Sequence, residues 1–130
     1  MTPRLALVAG SLLMVMAVAL GAFGAHALKA RVAPEMVAVW QTGVTYQAWH
    51  ALGLLLLGVL MLHVPGSAAL RVAAWLFIIG IVLFAGSLYL LALGAPKAFG
   101  AITPFGGVAF ITGWIAVAAG VWNQRSGSEP

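Results

Sequence analysis

The sequence predicts an all-α fold: a bundle of four transmembrane helices with both termini on the same side of the membrane. Three observations predict it. The runs Leu5–Ala25, Val37–Leu62, Val72–Ala95 and Phe105–Trp122 contain no Lys, Arg, Asp or Glu. A helix rises about 1.5 Å per residue, so about 20 apolar residues cross a hydrocarbon core of roughly 30 Å. Apolar residues make up 64% of the chain and charged residues 6%, where a soluble domain carries about 25% charged residues. The breaks between runs hold the Gly, Pro and charge expected of turns.

The first helix is expected over about residues 4–26. Arg4, the apolar stretch and Ala25-His26-Ala27 imitate a secretory leader with a small-residue cleavage site. The run is longer than the roughly 7–15 residues of a leader's apolar region, so it is read as a retained span. Lys29, Arg31 and Glu35 mark the first connection, and Pro34 suits the start of a helix. The second helix is expected over 36–62, and His63-Val64-Pro65-Gly66-Ser67 is a turn. The third is expected over 70–94, before Ala95-Pro96, and the fourth over 104–123. Residues 124–130 form a polar tail. The whole of 1–130 reads as one integral membrane domain.

The sequence pI of 10.4 rests on six basic residues scattered at the ends of the runs. Arg4, Arg71 and Arg125 fall on one side, and Lys29, Arg31 and Lys97 on the other. Three against three leaves orientation open, and no basic stripe suits nucleic acid. The chain has no cysteine, which excludes disulfides and thiolate metal sites. No Asp or Glu lies in a span, so carboxylate acid–base chemistry and a di-metal site have no residues to use. No metal or other cofactor is expected, and no enzymatic residue set can be assembled. His26 and His50 lie at different depths, which argues against a shared haem.

Small residues recur every seven positions: Gly10, Ala17 and Gly24 in the first helix, Gly80, Ser87 and Gly94 in the third, and Gly106, Gly113 and Gly120 in the fourth. A period of seven keeps them on one face. Lipid supplies no hydrophobic drive between helices, so small residues matter by letting backbones approach. Packing within the bundle is expected of these faces, with an oligomer contact as the alternative. The second helix carries Gly43, His50 and Leu57 at the same spacing, with Tyr46 and Gln47 beside them.

Intramembrane polarity gathers in the half nearer Lys29 and Lys97. His50 is roughly 20 Å from that side by helical rise. Gln41, Thr45, Tyr46, Gln47, Ser87, Tyr89, Thr112 and His26 share that half. Two readings stay open. These side chains bond one another and lock the bundle, as polar groups in hydrocarbon must find partners. Alternatively, His26, Gln41, Thr45, Tyr46, Gln47, His50, Ser87 and Tyr89 line a polar pocket, since an ionisable intramembrane residue is a functional candidate.

Leu20-Gly21-Ala22-Phe23-Gly24-Ala25-His26-Ala27-Leu28-Lys29, Gln41-Thr42-Gly43-Val44-Thr45-Tyr46-Gln47 with His50, Phe84-Ala85-Gly86-Ser87-Leu88-Tyr89, and Ile102-Thr103-Pro104-Phe105-Gly106-Gly107 through Gly113-Trp114 occur in this order. Together they resemble the signature of a family of small bacterial inner-membrane proteins, the domain of unknown function 423. The resemblance covers nearly the whole chain. It implies four transmembrane helices, a bacterial plasma membrane location and similarity to a small eukaryotic mitochondrial transmembrane protein. It implies no activity. The expected role is a non-enzymatic binding or accessory module that engages a lipid, a quinone-like molecule, another copy or another membrane protein. The alternative is a small oligomeric transporter or channel.

Overall fold

The computed structural model describes residues 1–123, so the expected tail 124–130, with Arg125, lies outside the described residues. Every regular element among the described residues is helical, and four helices are long and apolar enough to cross a membrane. The first, α1, is Pro3–Ala25. Thr2 caps it, its hydroxyl accepting from the Leu5 N–H, and Pro3 fills a first-turn position that needs no donor. A 3₁₀ turn at Leu28–Ala30 leads to α2, Pro34–His63, which carries Pro34 and Glu35 in its first turn. After a turn at Gly66, α3 spans Ala68–Ala92 from a Ser67 cap. A second 3₁₀ turn, Lys97–Ala101, precedes α4, Thr103–Trp122.

Two departures from the expected pattern lie in α3. Residues Ile81–Ala85 form a π-helical turn that widens the helix in mid-span. The helix also ends before Gly94, which was expected on the small-residue face. Gly94 has φ +94°, with its N–H bonded to Leu91 O and the Ala95 N–H bonded to Leu90 O. That pair of bonds is a glycine C-terminal motif, so Gly94 stops the helix, and a Cβ added there would meet nothing within 4 Å.

The helices pack in chain order, α1 on α2, α2 on α3 and α3 on α4. The small residues place the seams. Gly10 sits on Ala51 O and Leu55, and Gly24 on Trp40, so the buried small face of α1 (Ala6, Gly10, Ala17, Gly24) lies along α2. Gly80 seats Phe110, Gly106 rests on the Phe84 backbone, Gly113 on Phe77, and Gly120 on Leu70, which together close α3 against α4. The second helix contributes glycines of its own: Gly43 takes the Tyr89 ring, Gly53 the Phe77 ring and Gly58 the Leu7 side chain. The main core is built around Leu54, Leu57, Leu70, Phe77 and Phe110. Backbones of α2 and α4 do not meet closely. They are bridged instead by large aromatic side chains, and this spacing shapes the site below.

Candidate functional site

Among the described residues, the buried polar side chains are Gln47, His50 and Ser87, at 2%, 4% and 3% exposure. Each is bonded inside the bundle. Gln47 Nε2 donates to Leu13 O of α1 at 2.9 Å, and Gln47 Oε1 accepts from Tyr89 Oη of α3 at 2.8 Å. One amide therefore ties three helices. Tyr89 packs on Trp40 with ring centroids 4.6 Å apart, and Trp40 Nε1 donates to Leu20 O at 2.8 Å. Leu13 and Leu20 are seven residues apart, so both carbonyls lie on the face of α1 turned to α2.

His50 belongs to a second group. Its Nδ1 is 2.7 Å from Tyr46 O, and its Nε2 is 3.1 Å from Trp114 Nε1 of α4. A carbonyl accepts only and an indole N–H donates only. The ring is therefore the neutral tautomer with its proton on Nδ1. A proton on Nε2 would set two donors against each other. Phe110 stacks on the imidazole at 3.5 Å and 10°, and Phe77 meets its edge at 5.2 Å. We expect nitrogen NMR of the membrane-embedded protein to report a protonated Nδ1 and a bare Nε2 for His50. A proton found on Nε2 would contradict the arrangement.

Ser87 closes a third link. Its Oγ donates to Phe84 O at 2.9 Å, within the widened part of α3, and lies 2.7 Å from Thr103 Oγ1. With its own proton on the carbonyl, Ser87 accepts from Thr103, tying α3 to the start of α4. Among the described residues, no fully enclosed polar side-chain atom lacks a partner.

The eight expected pocket residues therefore do not share one pocket. Gln47 and Tyr89 are joined directly, and His50 is joined to the Tyr46 backbone. Ser87 and Tyr89 both border a separate apolar groove formed with Leu83, Leu90, Phe99 and Ile102, but their polar atoms are already bonded inward. Thr45 is exposed on the outer face of α2, and His26 is exposed just past the end of α1. Gln41 is half-buried with its amide beside Gly24. Thr112 is exposed on α4. Among the described residues, no three His, Asp or Glu side chains converge as metal ligands.

Trp40 is not among the expected site residues, and Thr103 and Trp114 stand there only within the family motifs, with no bonding role assigned to them. A signal existed for Trp114. It lies inside an apolar run, away from the interfacial zone where Trp is usual, so its N–H needs a buried acceptor. Near it, between α2 and the α3–α4 pair, is a crevice of about 380 Å³ lined by Tyr46, Trp49, His50, Phe84, Phe110 and Trp114, together with Gly107 and Ile111. Trp49, Ile111 and Trp114 are exposed at its rim. Tyr46 packs on Phe84 at 4.5 Å and on Trp49 at 5.2 Å, making a largely aromatic wall.

No solved structure matches the chain. The sequence profile of the family described as "Protein of unknown function (DUF423)" matches residues 20–107. The UPF0382 membrane protein YwdK of Bacillus subtilis is 45% identical over 111 residues, covering 85% of this chain and 90% of that protein. A UPF0382 membrane protein of Staphylococcus saprophyticus is 43% identical over 119 residues, covering 90% of this chain and 96% of its own length. One from Staphylococcus haemolyticus is 43% identical over 114 residues, covering 86% and 90%. With the profile spanning residues 20–107 and relatives of this similarity covering most of its length, the chain belongs to the DUF423 family.

Proposed function

We propose that the protein is a non-enzymatic binding or accessory module of the bacterial plasma membrane. The observation that carries this reading is how the interior polarity is used. Gln47, His50 and Ser87 each bond to a helix other than their own, in a neutral network that leaves none of them free for proton transfer or for a hydrated path. A scaffold locked in this way has its lipid-facing surface left for recognition of a lipid-soluble molecule, a second copy or another membrane protein. Four spans and bacterial relatives named as membrane proteins support the plasma membrane as its location.

The test is solvent access. Single cysteines at positions 47, 50 and 87 are expected to resist a membrane-impermeant thiol reagent applied from either side. A cysteine at Lys29, which is exposed beside the first connection, should react from one side. Reaction at 47 or 50 from water would instead favour transport. Native mass spectrometry from mild detergent should show a retained lipid-soluble molecule or a defined oligomer. A bare monomer under all mild conditions would sink the module reading.

A further inference from the structure

We propose that the crevice between α2 and the α3–α4 pair binds a planar, carbonyl-bearing lipid of the quinone type, with Tyr46 as its hydrogen-bond donor. The proposal rests on the binding-module reading and names the ligand class and the place. It begins with a polar group the bundle does not use. Tyr46 Oη has no hydrogen-bond partner among the described residues, although Tyr46 O serves His50. No fully enclosed polar side-chain atom lacks a partner, so this hydroxyl is open to the crevice it helps to line.

Depth makes the open hydroxyl informative. Tyr46 is twelve residues into a helix of 30, about 18 Å from one end of a span about 45 Å long. Near mid-bilayer the surrounding lipid offers only hydrocarbon, and a polar group there needs a partner that carries polarity to that depth. Trp49 Nε1, on the same wall, is likewise unbonded among the described residues. The indole N–H can only donate and the phenol can donate or accept, while both His50 nitrogens are taken, so both groups are able to donate to an occupant. Two groups able to donate, set on an aromatic wall, suit a planar ring with carbonyl oxygens better than an acyl chain. The volume of about 380 Å³ lies in the range of small-molecule sites. The site is laterally open, as a ligand with a long apolar tail requires.

The test uses the full-length protein in lipid nanodiscs, a photoreactive azido derivative of decylubiquinone as label, and decylubiquinone or decylbenzene as competitor. Saturable labelling on peptides of α2 and α4 is expected, and decylubiquinone should compete for it. Gly107→Leu should reduce labelling at least about ten-fold, because Gly107 lines the crevice and a Cβ there meets nothing nearer than a Phe84 ring atom at 4.0 Å, so the rest of the side chain takes crevice space. Ile111→Trp fills the same space from an exposed position, should act alike, and covers the case in which Gly107→Leu does not fold. Tyr46→Phe keeps the ring and should weaken decylubiquinone about three- to ten-fold, the range of one neutral hydrogen bond. It should leave decylbenzene unchanged.

Labelling that does not saturate, or that persists in both filled variants, would overturn the site. Decylbenzene competing as well as decylubiquinone, or indifference to Tyr46→Phe, would overturn the ligand class. In either case a molecule or second copy retained in native mass spectrometry would leave the module reading standing. Failure of both measurements would remove the two together.

Discussion

Alanine at Gly106 is expected to destabilise the bundle by about 2–3 kcal/mol, at the upper end of what overpacking a tight core commonly costs. The added methyl would run into the backbone nitrogen and Cα of Phe84. Phe84 sits in the π-helical turn of α3, and its backbone cannot rotate aside as a side chain can. Gly113→Ala meets the edge of the Phe77 ring at 2.7 Å, and Phe77 is fully buried, so it should also destabilise, by about 1–2 kcal/mol. Gly86→Ala is the control. It lies in α3 with nothing within 4 Å of the new methyl, and should be neutral or stabilising by up to about 1 kcal/mol through helix propensity. Thermal unfolding in detergent gives the order. Equal stability of the Gly106 and Gly86 variants would mean that α4 does not seat on the π turn.

This contrast also marks what the residue pattern could and could not disclose. The four spans were legible because hydropathy over about 20 residues is a strong signal. The seven-residue spacing of small residues was legible as a face, but not its partner. Gly10 and Gly24 face α2, while Gly106 and Gly113 face α3. Spacing cannot tell these apart, since any flat face accepts any ridge. Gly94 shared the spacing and had the opposite role, because it falls past the last helical turn. The widened turn at Ile81–Ala85 had no signature in an unbroken apolar run.

Among the polar residues, depth was legible and direction was not used. Thr45 and Gln47 are two residues apart, about 200° around a helix, so they cannot both face inward. Gln47 turned in and Thr45 out. Tyr46, half-buried between them, ended at the border, its ring in the aromatic wall and its carbonyl on His50. The choice among bonding partners depended on helix neighbours that a linear sequence does not specify.

Gln47→Leu tests whether the polar links hold the bundle together. The leucine is close in size and apolar, so packing near 47 should be kept. What is lost is the donor to Leu13 O and the acceptor for Tyr89 Oη. The Leu13 carbonyl belongs to α1 and is little affected, because helix carbonyls already accept a backbone N–H. The Tyr89 hydroxyl is different. It reaches Gln47 from half-buried surroundings beside Gly43 and Trp40, where no second acceptor is bonded to it. Stranding it should destabilise by about 1–2 kcal/mol, toward the top of what single intramembrane hydrogen bonds contribute. Tyr89→Phe alone leaves Gln47 Oε1 without its donor and should have a smaller effect of the same sign. The double variant removes both ends at once, and replacing both partners by apolar groups can be nearly neutral. It is therefore expected to be more stable than Gln47→Leu alone. A double-mutant cycle in detergent should return a coupling of at least about 0.6 kcal/mol. Strict additivity would mean that Gln47 and Tyr89 act separately, and that the link between α2 and α3 rests on the Gly43 contact and the apolar core alone.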